Sequence, residues 1–186
     1  MDVEVCPTDQ VPTIRREILE EQSSFIPEGT ILGGRYEIKK LIGMGGMGAV
    51  YLANQTNIHR RVAIKTLKKE LMSNERLLKR FYREARAAAA LDHPNIVKVY
   101  DFGLDSDQGC PYIAMEYLEG QSLDGLIENE GRLSEARACV IVGAVARALT
   151  DAHSKGVVHR DLKPDNVHVQ SLSDGTEHIK VLDFGT

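Results

Sequence analysis

Two short runs near the end of the chain, His159-Arg160-Asp161-Leu162-Lys163-Pro164-Asp165-Asn166 and Asp183-Phe184-Gly185, set a carboxylate, a carboxamide and a second carboxylate in a polar context. Asp161, Asn166 and Asp183 together offer a proton acceptor and hard oxygen donors of the kind Mg²⁺ takes when phosphates complete its shell. Far upstream, Gly43-Met44-Gly45-Gly46-Met47-Gly48-Ala49-Val50 reads GxGxxGxV. At a hairpin tip such glycines let backbone N–H groups reach phosphate oxygens with no Cβ in the way. Alone, the run is equally well explained as a bare glycine turn. Its position between two strand-like runs, rather than between a strand and a helix, argues against a dinucleotide-binding unit.

Val62-Ala63-Ile64-Lys65 follows the glycine run. Strand alternation puts Ala63 and Lys65 on one face, a small side chain leaving room for a flat base and a cation two residues on reaching its phosphates. A solvated strand lysine is the simpler reading of Lys65 alone. Glu84 weighs against it. It shares the stripe of Leu77, Phe81 and Ala88, so a helix presents a carboxylate on its apolar face, where an unpaired charge is costly. Lys65 is its natural partner.

The elements that must position these groups are legible as patterns. Residues 1–28 carry Pro7, Pro12 and Pro27 among charges and read as a flexible leader with one short helix around Ile14 to Glu21. Strands are expected at Tyr36 to Ile42, Ala49 to Asn54 and Arg61 to Leu67, as an antiparallel meander, and two more at Ile96 to Phe102 and Tyr112 to Tyr117 about the polar turn Asp105 to Gly109. The spacing predicts helices from Asn74 to Leu91, from Ser122 to about Asn129 and from Ser134 to about Lys155, the first, second and third capped by Asn74, Ser122 and Ser134. Short strands at Val167 to Gln170 and His178 to Leu182 flank the turn Ser173-Asp174-Gly175. His59 and His153 read as surface or packing residues.

At 186 residues, 42% apolar and 27% charged, the chain has an ordinary globular composition. A formal net charge of −4 provides no basic field for nucleic acid or an acidic membrane. Cys6, Cys110 and Cys139 are odd in number and widely spaced, without zinc or disulfide-framework patterning, and read as reduced thiols. Neither a secretory signal nor a membrane span is evident, so a cytoplasmic location is expected.

Taken in order, the glycine run, Val-Ala-Ile-Lys, the helical Glu, His-Arg-Asp-Leu-Lys-Pro-Asp-Asn and Asp-Phe-Gly make the chain resemble a Hanks-type protein kinase from about Tyr36 to Gly185. The glycine loop and Asp92-His93-Pro94-Asn95-Ile96-Val97 are similar to bacterial members, and Lys163 to the serine/threonine branch rather than the tyrosine branch. The resemblance implies an α+β protein-kinase-like fold, with an N-lobe and hinge over 29–118, of antiparallel strands plus one helix, and a partial, mainly helical C-lobe over 119–186. It implies ATP and Mg²⁺ as cofactors and protein Ser or Thr hydroxyls as substrate. Gly43, Gly45, Gly48 and Val50 would cover the phosphates, Lys65 would hold the α and β phosphates, and Glu84 would orient Lys65. Asp161 would act on the hydroxyl proton, Lys163 on the γ phosphate, and Asn166 and Asp183 as metal ligands. Ala63 and the gatekeeper Met115 would line the base site, with backbone groups of Glu116 and Leu118 meeting adenine. His159 and Phe184 would pack beneath Ala88 and Val99.

Two departures from the family pattern stand out. His168 falls where relatives place an aliphatic residue under the adenine, so the ring loses apolar contact and requires a hydrogen-bond partner. The sequence also stops just after Asp-Phe-Gly, with no activation segment for Arg160 to grip. From this we expect little protein kinase activity from the polypeptide alone and an exposed Val, Ile and Ala face on the Ser134 to Lys155 helix. The rival of another class is a noncatalytic module that binds nucleotide or a partner kinase. Tyrosine kinases and small-molecule phosphotransferases fit the motifs less well.

Overall fold

The computed structural model describes residues 25–184. The leader helix expected at Ile14 to Glu21, Cys6 and Gly185 lie outside the described residues. Six strands form one antiparallel sheet: β1 (Ile31–Leu32), β2 (Tyr36–Met44), β3 (Gly48–Gln55), β4 (Arg60–Leu67), β5 (Val99–Asp105) and β6 (Cys110–Glu116), in the order β1-β2-β3-β4-β6-β5. Alternation along β4 explains why both faces are covered. Val62 and Ile64 point into one cluster with Tyr36, Ile38, Tyr51 and Tyr112, while Ala63 and Leu67 point into another with Phe81, Ala85, Ile113 and Met115. Lys65 shares the face of Ala63, as period-two geometry requires.

That second face is covered by α1 (Glu75–Ala89), whose buried residues are Phe81, Glu84, Ala85 and Ala88. Asn74 caps it, its side chain accepting from the N–H groups of Arg76 and Leu77 at 3.1 and 3.2 Å. Glu84 thus lies on the apolar face anticipated from its spacing.

The rest of the chain is built on a three-stranded sheet, β7 (Gln121–Ser122), β8 (Val167–Ser171) and β9 (Glu177–Val181), with α2 (Leu123–Glu130) and α3 (Glu135–Ser154) against it. Ser122 and Ser134 cap α2 and α3 by accepting from Gly125 N and Arg137 N. The strand expected from Ile96 begins only at Val99. Ile96 instead bridges in parallel to Val181, with Val97 N donating to Val181 O and Val181 N donating to Asn95 O. Those backbone groups are used to join the two sheets rather than to extend β5.

The exposed apolar face expected on α3 is present in part. Ile141, Ala144, Ala148 and Ala152 are buried, packing on β8, β9 and Phe184, because that stripe faces the β8–β9 hairpin. Ala136, Cys139, Val140, Val142 and Ala146 are exposed on the half of the helix away from that stripe, so the expected face is uncovered at these Val and Ala positions and covered at Ile141. No helix among the described residues is long and apolar enough to cross a membrane.

Candidate active site

The glycine run forms the tip of the β2–β3 hairpin, with Gly43 opposite Val50 and Met44 opposite Ala49. Gly45 N donates to Gly48 O at 2.9 Å and closes the turn. A Cβ on Gly48 would run into the Thr66 carbonyl oxygen, so this glycine is required by the close approach of β3 to β4. Gly45 and Gly46 face open space, where a phosphate chain could approach the backbone. Beneath the tip, Val50, Ala63, Met115, Leu118 and Leu182 belong to one apolar cluster. Ala63 and Met115, the side chains expected at the base site, meet there with Val50 and Leu118.

Lys65 leaves β4 toward α1 and the end of β9. Its Nζ lies 2.7 Å from Asp183 Oδ1 and 3.9 Å from Glu84 Oε2. The expected pairing with Glu84 is therefore present but long, and Asp183 is the closer counter-ion. Glu84 is buried, and burial raises its pKa above the ordinary carboxylate range against the pull of Lys65. Its other oxygen faces Arg80 Nε at 3.5 Å without a hydrogen bond. Divided between two cations and poorly solvated, Glu84 competes weakly for Lys65, which pairs with the more exposed Asp183.

The β8–β9 hairpin brings the metal-ligand candidates to one end. Val167 pairs with Val181, and Asn166 O accepts from Leu182 N at 2.9 Å, so Asn166 and Asp183 flank the same edge. Asn166 Nδ2 donates to Asp161 O at 2.8 Å and to Asp161 Oδ2 at 3.3 Å, which leaves the carboxamide oxygen as the atom that could serve a metal. Lys163 Nζ is 3.8 Å from the same Asp161 oxygen. Asn166 and Asp183 supply one hard oxygen each, and no cluster of three acidic, His or Cys ligands occurs among the described residues. Such a donor set suits Mg²⁺ held jointly with phosphates better than a metal held by protein alone.

His159 ties the Asp161 segment to the end of β9. Its Nδ1 accepts from Asp161 N at 3.3 Å, which makes Nε2 the protonated nitrogen, and Nε2 donates to Leu182 O at 2.7 Å. The ring also packs on Phe184, centroids 4.7 Å apart. Ala88, Val99 and Phe184 line a common cavity of about 20 Å³. Arg160 (φ 67°) and Asp183 (φ 56°) adopt the left-handed region, as does His59 (φ 51°) in the β3–β4 turn.

His168 has the partner its burial demands: its Nε2 lies 3.1 Å from the carbonyl oxygen of Glu119. Burial lowers its pKa, and the ring is neutral above the ordinary histidine range. Sequence reasoning missed one more contact near the site. Lys180, almost fully buried, donates to Glu116 Oε2 at 2.8 Å and to Ile96 O at 3.3 Å, joining the strand that leads to Asp183 to the end of β6. The signal was available in the alternation of β9, where Lys180 interrupts an apolar run.

The protein kinase domain family matches residues 36–186. Among curated proteins, the chain is 45% identical over 157 residues to the serine/threonine-protein kinase pkn3 of Myxococcus xanthus, covering 84% of this chain and 28% of that protein. It is 41% identical over 156 residues to the serine/threonine-protein kinase PknB of Mycobacterium tuberculosis, covering 83% of this chain and 24% of that protein. The crystal structure of the Mycobacterium tuberculosis PknI kinase domain superposes with a TM-score of 0.74 at 33% identity, over 86% of this chain and 63% of that one. The chain spans about a quarter of the length of these two curated relatives.

Proposed function

The chain belongs to the protein kinase family, and from that premise we propose that its cleft binds MgATP and serves transfer of the γ-phosphoryl group to Ser or Thr hydroxyls of proteins. The observation that carries this reading is the convergence of Asp161, Asn166, Asp183 and Lys65, linked by contacts of 2.8 Å from Asn166 to Asp161 and 2.7 Å from Lys65 to Asp183.

In this reading the purine lies against Val50, Ala63, Met115 and Leu118, with His168 at the margin and the backbone of Glu116 and Leu118 at its edge. Lys65 meets the α and β phosphates. Asn166 and Asp183 would hold Mg²⁺, which when bound neutralises phosphate charge. Asp161 orients the hydroxyl and takes its proton as the new O–P bond forms and the bond from the γ phosphorus to the ADP oxygen breaks. Lys163 offsets negative charge on the transferred group. Phosphoryl transfer asks proteins mainly for positioning and charge neutralisation, and these groups supply both.

The test is thermal unfolding: the reading expects MgATP to protect the unsubstituted chain and Asp183→Asn to reduce that protection. Absence of protection in the unsubstituted chain would refute it. The protein substrate class comes from the family, and a cytoplasmic site of action suits a consumer of ATP. One observation favours a second reading, a module that binds nucleotide or a partner kinase without catalysis: the 3.9 Å Lys65–Glu84 separation. Nucleotide binding without transfer in a complete assay would favour it.

A further inference from the structure

Strand alternation puts Arg61 on the same face of β4 as Ala63 and Lys65, at the end nearest the close of β6, where Val62 pairs with Glu116. Its neighbour Arg60 turns to the opposite face and stacks on Tyr100, Cζ 3.6 Å from the ring centroid. Nothing in the phosphate-transfer reading uses Arg61. Its Nη2 donates to Glu119 Oε1 at 2.6 Å, and its Cζ lies 5.3 Å from the centroid of the Tyr117 ring. One guanidinium therefore grips both chain neighbours of Leu118, the residue whose backbone is read as meeting the purine.

Residues 117–120 belong to no strand or helix, and their far end is fixed to the second sheet. Gly120 (φ 110°) lies so close to the Val169 carbonyl oxygen that a Cβ there would collide with it. Gln121 pairs with Val169 in the β7–β8 ladder, and Glu119 O lies 3.1 Å from His168 Nε2. Glu119 is thus anchored to β8 through its backbone and to β4 through its carboxylate. The pair spans the two sheets on the hinge side of the base site.

We propose that Arg61 and Glu119 are positioning residues of the nucleotide site: their ion pair fixes the Leu118 backbone against β4 and holds the mouth of the base site narrow, which slows nucleotide release. The proposal rests on the reading of the cleft as a nucleotide site. Neither side chain has to touch the nucleotide, because the pair acts on the backbone between Tyr117 and Gly120 and on the spacing of β4 from β8. The size of the effect follows from exposure. With side chains 58% and 52% exposed, the pair is a weak and salt-screened contact, so it slows opening by a small factor rather than locking the cleft. Stacking on Tyr117 adds a contribution of similar size and makes arginine, rather than lysine, the fitting cation. The pair also stands apart from Lys65 and Asp183: those two exchange partners when phosphate and metal arrive, whereas Arg61 and Glu119 stay paired with the site filled.

The test is the release of N-methylanthraniloyl-ADP from the whole chain, chased with excess MgATP and followed by stopped-flow fluorescence, with urea unfolding of each variant alongside. Arg61→Gln and Glu119→Gln should each speed release about two- to fivefold at low salt. The double substitution should do no more than either single one, the signature of one shared contact. The exchanged pair Arg61→Glu/Glu119→Arg should recover part of the slow release. At about 0.5 M NaCl the gap between the parent and the single variants should close, because screening removes the pair from the parent. A direct contact of Arg61 with the nucleotide would instead make Arg61→Gln act alone, or make the double variant faster than either single one, and either result overturns the proposal. A pair that serves only the fold would lower the urea midpoint and leave release unchanged, which also overturns it. A chain that binds no labelled ADP refutes the nucleotide-site reading and the proposal with it, whereas binding with release indifferent to every substitution overturns the proposal alone.

Discussion

Asp161 is held by two neighbours, its N–H by His159 and its carboxylate by Asn166, and the role in transfer proposed for it can be tested apart from folding. In a γ-phosphoryl transfer assay, Asp161→Asn should lower kcat by about 10²–10⁴-fold while nucleotide protection persists. Loss of both together would mean that Asp161 serves the fold. His168 yields a pH prediction with a definite sign. Its folded pKa is lowered by burial, so below the ordinary histidine value of about 6.5 the unfolded chain takes up a proton that the folded one resists. Its contribution to stability is present above that value and is lost as pH falls toward the folded pKa. His168→Leu should therefore lose less melting temperature than the parent between pH 7.5 and 5.5. It should also bind ATP more tightly, since an apolar side chain replaces a ring tied to Glu119. Equal acid sensitivity would contradict the first expectation, and unchanged or weaker ATP affinity the second.

Among the elements, the join between β6 and β9 depends on the Lys180–Glu116 pair, with Lys180 nearly buried and Glu116 partly exposed. Breaking it by Lys180→Met should destabilise by about 2 kcal/mol, below the full cost of a wholly buried pair because Glu116 can rehydrate. Adding Glu116→Leu should recover part of that loss, as read from urea unfolding. A neutral Lys180→Met would remove the pair from the account. The helix cap is a simpler case: Asn74→Ala should cost about 1 kcal/mol through two unsatisfied N–H groups at the start of α1. Element types were legible from the sequence because both periodicities are clean: Phe81, Glu84 and Ala88 mark one helix face, and Val62 to Leu67 alternates. The start of β5 was not legible, because Ile96 and Val97 are strand-like in composition and only the neighbouring β9 decides where their backbone bonds go. The packing of α3 was legible in part, its Val140 and Val142 exposed as expected and its Ile141 buried, for a related reason. A stripe of Ile and Ala announces burial but does not say against what. In the site, residue identities and their common location were readable, whereas the choice of Lys65 between Glu84 and Asp183 depends on ångström differences and on Arg80, which no spacing rule weighs.

At the scale of the molecule, the two sheets are joined in two different ways. Away from Lys65 they are stitched by backbone bonds between residues 95–97 and β9, reinforced by Asn95 Nδ2 donating to Ile179 O at 2.9 Å and by Lys180. At the cleft they meet through Lys65 and Asp183, two partly buried ions with side chains 21% and 37% exposed, whose contact can be exchanged for phosphate and metal. A fixed join beside an exchangeable one is what a nucleotide cleft between two lobes requires. The central claim is that Asp183 serves as a metal ligand and Lys65 as its temporary counter-ion. Isothermal titration of ATP into the chain, with and without Mg²⁺ and in the parent and Asp183→Ala proteins, tests it most directly. The account predicts that Mg²⁺ tightens ATP binding in the parent and that Asp183→Ala abolishes this gain while metal-free binding survives. ATP affinity indifferent to Mg²⁺ in the parent, or a gain that persists without the Asp183 carboxylate, would contradict it.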